Sequence, residues 1–546
     1  MPDLTVPDLL TARAADTPGQ GVVFPDGRAG YPELAAQVER VARGLWAIGV
    51  RPGDPVGLLL HGGLDCLRFW LAASSIGAVT VPLNVRLRSR EIAYVISDAQ
   101  LRVLVTTSAF EPVLRGHLPG ADGAQLGTVV VTDRGTDAGG LLGGLLGGST
   151  FDAAAAGTDP AGPAGARAAL RADDPNLMLY TSGTTSRPRG CVHTHRSLVA
   201  EGEAVADRLQ LTPDDRFWTP LPMFHCGGFD VALAAVAGHC GFVHVGTFDP
   251  GRALRQLVDE RCTVGFPAFE TIWLPVLEHP DFAGADLSAL RMVINIGSPE
   301  RMRSMQARLP HAVQLSCLGM TESFGFCCVG SPDDPAEVRA TTSGQPLRHM
   351  EAMVVDPETG VEVAPGVPGE FRFRGGSRLS HYHRDPELTA HRIDESGWFA
   401  SGDQVVADDH GRLRFLTRLG DILKVGGENV AAAEIEGFLS EHPAAGIVAV
   451  VGAPDARYGE VAAAFVQLRR GSVATEQELI EFCLGAVATY KVPRYVRFVD
   501  EWPMSGTKVQ KFRLRALITE ELSHRGITEA PRMIPPPITA ADQSTA

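Results

Sequence analysis

Residues 181–190 read TSGTTSRPRG. The hydroxyls of Thr181, Ser182, Thr184 and Thr185, the bare backbone of Gly183 and the guanidinium of Arg189 offer hydrogen-bond donors and compensating charge to a phosphate. A Walker loop is excluded, because nothing after Gly183 supplies Gly-Lys-Ser/Thr at the required spacing. The apolar run NLMLY at 176–180 reads as a buried strand, and a strand entering a hydroxyl-rich turn is a common setting for phosphate binding. Taken alone, the stretch also reads as a solvated Ser/Thr turn.

Further groups able to do chemistry follow at intervals. LGMTES (318–323) carries Gly319, Thr321 and Glu322, and WFASGD (398–403) ends in Asp403. TRLGDILKVGGENVAAAEIE (417–436) carries Arg418, Gly420, Lys424, Gly426 and Gly427, while MSGTKVQKFRLR (504–515) carries Lys508. LPMFHCGGFD (221–230) places His225 and Cys226 in apolar surroundings, and Asp230, one helical turn on, reads as a surface carboxylate. In order and spacing this set resembles the adenylate-forming superfamily of acyl-CoA synthetases, peptide-synthetase adenylation domains and beetle luciferases, from roughly residue 20 to 520.

The resemblance implies attack of a substrate carboxylate on the α-phosphate of ATP, release of pyrophosphate, and displacement of AMP by a thiol. ATP would lie on Thr181, Ser182, Gly183, Thr184, Thr185, Arg189, Gly319, Thr321, Asp403 and Arg418, with Asp403 on the ribose hydroxyls. Glu322 would hold Mg²⁺, which at nucleotide sites takes one or two carboxylates plus phosphate oxygens and water. Lys508 would bring a cation to the reacting oxygens from a mobile domain. His225, Cys226, Gly297 and Ser298 would border the acyl pocket, and Lys424, Gly426 and Gly427 the CoA channel, with the hinge at Gly420. Arg189 stands where the family usually has Lys, Ser186 replaces a Gly, and Leu318 occupies a position where an aromatic commonly stacks on adenine.

Cys226 replaces the Asp with which amino-acid-activating relatives bind an α-amino group. That disfavours an amino acid, and the runs PAFETIW (267–273), NIGSPE (295–300) and SFGFCC (323–328), read as mainly apolar and small pocket walls, suit an aryl, alkyl or alkenyl carboxylic acid. The expected activity is that of an ATP-dependent carboxylate-CoA ligase (acid–thiol ligase). The alternatives are a stand-alone adenylating enzyme serving a carrier-protein pantetheine or another nucleophile, and a catalytically degenerate nucleotide binder.

Such groups need a scaffold larger than one core, since single hydrophobic cores stop growing near ~250–300 residues and this chain has 546. Hydrophobic residues at 45% and charged residues at 21% are ordinary globular composition. A formal charge of −15 disfavours a general nucleic-acid surface, so any phosphate site must be local. The nine cysteines form no CxxC pair, which fits a reduced, cytoplasmic chain without a zinc site. The longest apolar stretch, 231–246, holds two histidines and is shorter than the ~20 residues of a membrane helix, so no span is expected. A homo-oligomer is compatible with the composition.

Helical patterns alternate with β-branched runs over 30–110 and again over 197–330, which predicts an α/β fold with parallel sheet. Residues 340–417 read as strands and turns, and 421–524 as mixed α and β. The Gly/Ala-rich stretch 119–172, with GGLLGGLLGGST, reads as a low-complexity surface connection. The expected architecture is a large N-terminal domain of α/β subdomains plus a β-rich subdomain (1–419) and a small mobile α+β C-terminal domain (420–524). A disordered tail is expected over 525–546.

Overall fold

A computed structural model describes residues 3–114, 126–134, 145–181, 188–297, 299–419, 422–469, 471–505, 508–509 and 511–533. The N-terminal body is built on an eight-stranded and a nine-stranded sheet. In the first, the apolar runs Pro55–Leu59, Val79–Pro82, Val103–Thr106, Thr128–Val131 and Leu145–Gly147 pair in parallel. Strands buried on both faces need such continuous apolar sequence. In the second, Val264–Phe269, Met292–Ile296 and Val313–Met320 are parallel neighbours.

Helices lie on and between these sheets. Tyr31–Ala47 turns Leu34, Val38, Val41 and Leu45 inward at helical spacing and begins with Pro32 in its first turn. Helix His195–Arg208 is capped by Thr194, whose hydroxyl accepts from the Ser197 amide at 3.2 Å. Cys226–Ala237 packs against it and is buried from Gly227 to Ala235. A helix apolar all round is one enclosed on every side, and this one forms the floor beneath the candidate site.

Two expectations are corrected by packing. Leu145–Gly147 is an edge strand of the eight-stranded sheet rather than a surface connection, and the following helix Gly148–Gly157 buries Phe151 against Phe69, with ring centroids 5.4 Å apart. Apolar residues among the glycines supply the core contact that composition alone conceals. At the other end, residues expected to begin a tail at 525 continue through 533 against the C-terminal core. Ala530 is buried, and its amide donates to Asp455 Oδ2 at 2.5 Å.

The β-rich region is a four-stranded antiparallel sheet of Met350–Val355, Gly369–Gly375, Phe399–Ala407 and Leu413–Arg418. Its register sets Asp403 directly opposite Arg418. After it come a five-stranded sheet and helices with their own core, including Val430, Ile435, Val450, Ala464 and Leu514. Strands Ile422–Val425 and Glu428–Ala431 form a hairpin whose two turn residues, Gly426 and Gly427, have φ of +58° and +88°. A two-residue turn with positive φ at both positions suits a Gly pair. Among the described residues, no helix is long and apolar enough to cross a membrane.

Candidate active site

Where the two bodies meet lies a cavity of about 240 Å³. Phe266, Phe269, Ile272, Ile296 and Phe326 make its walls apolar, while Thr181, His225 and Thr321 bring polar groups to it. The C-terminal hairpin turn contributes Gly426, Gly427 and Glu428, and a later segment adds Tyr490 and Lys491. A Cβ at residue 427 would stand 3.2 Å from the Phe269 ring, so glycine lets the turn close on the cavity.

Glu428 is the centre of the contact between bodies. Its Oε2 is 3.0 Å from His225 Nε2 and its Oε1 is 2.6 Å from Arg86 Nη1. Burial pushes the Glu428 carboxyl up, but His225, Arg86 and Lys491 outweigh it and hold it below the usual carboxylate range. Lys491 is only 3% exposed and reaches Glu91 Oε1 at 2.7 Å and Glu434 Oε1 at 2.6 Å. Burial pushes its ammonium down, but the two carboxylates more than compensate and keep it charged. Asn84 Nδ2 also donates to the Tyr490 hydroxyl at 3.2 Å and Arg90 makes a two-pronged contact with Glu441 at 3.0 Å, so four polar links among the described residues join the 84–91 segment to the C-terminal body.

The turn Thr321–Ser323 is held from behind. Burial pushes the His193 imidazole down to about 3, so its ring stays neutral and its Nε2–H donates to the Thr321 carbonyl at 2.8 Å. The Tyr382 hydroxyl donates to Glu322 Oε1 at 2.8 Å. No described Lys or Arg pairs with Glu322, and a carboxylate fixed by one neutral donor suits Mg²⁺ shared with phosphate and water.

Several expected residues meet here: Thr181, His225, Cys226, Gly319, Thr321, Gly426 and Gly427 all line the cavity. Glu322 follows Thr321, and Arg189 lies at the start of strand Arg189–Thr194, with Nε 3.6 Å from Asp385 Oδ2. Gly297 follows the lining residue Ile296 without lining the cavity itself. Asp403 is buried within its strand, and the Lys424 ammonium sits 5.2 Å from the centroid of Phe415. Ser182, Gly183, Thr184, Thr185, Ser298 and Gly420, and the side chains of Arg418 and Lys508, lie outside the described residues.

The chain is similar to known proteins over most of its length. Residues 10–383 match the AMP-binding enzyme family, and residues 434–508 match the AMP-binding enzyme C-terminal domain. The chain belongs to this family. A methyl-dioxo-octahydroindenyl-propanoyl:CoA ligase of Mycobacterium tuberculosis is 33% identical, over 94% of this chain and 99% of that protein. The mitochondrial medium-chain acyl-CoA ligase of Danio rerio is 31% identical, over 95% and 89% respectively. The amide bond synthetase McbA of Marinactinospora thermotolerans superposes with a TM-score of 0.79 at 28% identity, covering 93% of this chain and 99% of its own. This AMP-binding enzyme thus falls in the acyl-CoA ligase branch of the adenylate-forming superfamily.

Asp230 departs from its expected surface position: both it and Glu201 are wholly buried, on helices packed against each other. Among the described residues none of their four carboxyl oxygens has a partner at hydrogen-bonding geometry, although the Phe326 amide faces both and the Ser377 hydroxyl faces Glu201. Burial pushes both carboxyls well up, and Asp230 adds to the rise at Glu201. A raised folded-state pKa stabilises the fold below the ordinary carboxylate range, and that contribution is lost as pH rises toward the folded value. Asp230→Asn and Glu201→Gln are therefore expected to gain Tm relative to the parent as pH goes from 5 to 9. Melting profiles that stay parallel across that range would refute the assignment of buried, protonated acids.

Spacing did not single out Glu428, Lys491, Glu91, Arg86, His193 or Tyr382. Glu428 carried a signal, since it directly follows the Gly pair of the quoted motif, but its partner His225 is 203 residues away.

Proposed function

We propose that this AMP-binding enzyme is an ATP-dependent carboxylate-CoA ligase acting on an apolar aryl, alkyl or alkenyl acid. The observation that carries the reading is the contact of Glu428 with His225 at the mouth of an apolar cavity. It brings a flexible glycine turn, an acid–imidazole pair and the acyl pocket to one place, as a thiol entering from outside requires.

In the first half-reaction an oxygen of the substrate carboxylate attacks the α-phosphorus and pyrophosphate leaves. Positioning and electrostatic stabilisation dominate such a transfer. The 181–185 loop and Arg189 would hold the phosphates, Thr321 the α-phosphate, and Asp403 with Arg418 the ribose. Bound through Glu322, Mg²⁺ would neutralise charge on the phosphate oxygens. Lys508 would supply the remaining cation while the C-terminal domain (420–524) is turned toward the nucleotide, with the swing at Gly420.

In the second half-reaction the same domain presents Gly426–Glu428, and the thiol sulfur attacks the acyl carbonyl as AMP departs. Glu428 accepts from Nε2–H of His225, leaving Nδ1 able to take the thiol proton and favouring the imidazolium that forms. Glu428→Gln should slow thioester formation from supplied acyl-AMP by roughly tenfold to a hundredfold, because one charge-assisted hydrogen bond contributes ~1.5–3 kcal/mol. Adenylation should change little. Stopped-time product analysis of each half-reaction tests this, and equal losses in both would remove Glu428 from the thiol step.

The structural likeness to an amide bond synthetase favours a second acceptor, an amine. A panel of carboxylates with ATP and Mg²⁺, offered CoA, an amine or a pantetheine-bearing carrier protein, separates the acceptors. Pyrophosphate with CoA thioester supports the ligase; pyrophosphate with amide or carrier-bound product alone reassigns the acceptor. Nucleotide-dependent stabilisation without pyrophosphate would leave only a binder.

A further inference from the structure

The C-terminal body carries a second cleft, of about 750 Å³, which the two half-reactions leave unused. Five arginines line it, Arg457, Arg494, Arg497, Arg525 and Arg532, against only two carboxylates, Glu476 and Glu529. In a chain of net charge −15 this local positive excess runs against the overall balance.

Partners account for some of these cations. Arg497 makes a two-pronged contact with Glu521 at 2.6 and 2.9 Å and reaches Glu476 at 2.9 Å. Arg525 shares Glu521 at 3.0 Å, and Arg457 pairs with Glu529. Among the described residues Arg494 has no such carboxylate: it is 6% exposed, donates there only to the carbonyls of Pro531 and Thr489 at 3.3 and 3.5 Å, and its buried Nε has no partner among them. Buried Nη1 of Arg457 likewise lacks one at hydrogen-bonding geometry. Asp455, which lies near Arg494, is already committed to the amides of Arg457, Tyr458 and Ala530. Arg532 also stands on the cleft without a carboxylate partner among the described residues.

A buried guanidinium with an unmet donor is costly, and a dianion presented to its planar fork would meet that donor while offsetting the excess charge. We propose that this cleft is a binding site for a phosphate-bearing small molecule, with Arg494 and Arg532 as its principal contacts and Arg457 beside them. A diphosphate offers three guanidinium groups more anionic oxygens than a single phosphate does, and is the better match in charge. Arg494 is anchored to the Thr489 carbonyl, next to Tyr490 and Lys491, so the occupied cleft adjoins the segment that docks on the N-terminal body.

The test is isothermal titration of the full-length protein with pyrophosphate and, separately, inorganic phosphate. Because the ATP site also accepts pyrophosphate on the reading above, stoichiometry is the decisive quantity. The parent should bind two pyrophosphates per chain, and Arg494→Gln/Arg532→Gln should bind one while keeping adenylation. Arg532→Gln alone, at an exposed position that does not threaten folding, should weaken the second site about tenfold or more. Tighter binding of pyrophosphate than phosphate at that site is expected; the reverse would overturn the diphosphate assignment. A single pyrophosphate per parent chain, or a second site unchanged in Arg532→Gln, would overturn the cleft as an anion site without touching the ligase reading. Loss of the first site alone would do the opposite.

Discussion

Lys508→Ala is expected to slow acyl-adenylate formation by about 10²–10³-fold, while thioester formation from supplied acyl-AMP stays within a few-fold of the parent. One preorganised donor at developing charge is worth ~2.7–4 kcal/mol in the transition state. Lys508 begins the short strand Lys508–Val509, in the same body whose Gly426–Glu428 turn lies at the cavity. A domain that presents that turn for the thiol step has to present Lys508 for the other step by moving. Lys511, three residues further along MSGTKVQKFRLR, is a second cation that the motif offers, but it is paired with Glu436 of its own domain at 2.9 Å and is the poorer choice. Single-turnover quench experiments on both variants decide the register: a larger adenylation loss from Lys511→Ala would transfer the role to that residue.

Lys491→Met should act in the opposite direction, slowing thioester formation by about a hundredfold or more and sparing adenylation. Removing the ammonium leaves Glu91 and Glu434 buried near one another across the junction of the two bodies. Breaking a buried ion pair typically costs ~3–5 kcal/mol, and of the two pairs the Lys491–Glu91 pair is the one that crosses between the bodies, so its loss should weaken their docking. Acyl-AMP should then accumulate on the enzyme. Loss of both half-reactions to the same extent, in a variant that melts like the parent, would show that this cluster does not govern docking.

The order of motifs made the class legible in the sequence, because each short run combines residue types that chemistry demands with backbone freedom at a glycine. Gly426 and Gly427 read in the sequence as bare backbone at the CoA channel; that they form a tight turn of positive φ is what the fold adds. Asp403 and Arg418 come from two runs named separately, and the antiparallel register sets them opposite each other. What spacing could not supply was partnership across the fold. Glu428 looks like a solvated hairpin carboxylate until the C-terminal body is set against His225 and Arg86. Asp230 has the sequence context of a surface residue, yet its helix is enclosed on all sides, so its burial is decided by tertiary packing. The glycine-rich run before 148 misled for the converse reason: three residues, Leu145–Gly147, suffice to add an edge strand when a sheet is waiting for them.

The most direct measurement is one rapid-quench time course with an apolar carboxylate, ATP, Mg²⁺ and CoA, following acyl-AMP and thioester in the same samples for the parent, Lys508→Ala and Lys491→Met. Expected are a transient of acyl-AMP that decays into thioester in the parent, neither species at early times in Lys508→Ala, and persistent acyl-AMP with little thioester in Lys491→Met. Both variants losing both species together, or a parent that forms acyl-AMP and never transfers it to CoA, would contradict a ligase that serves two half-reactions by moving one domain.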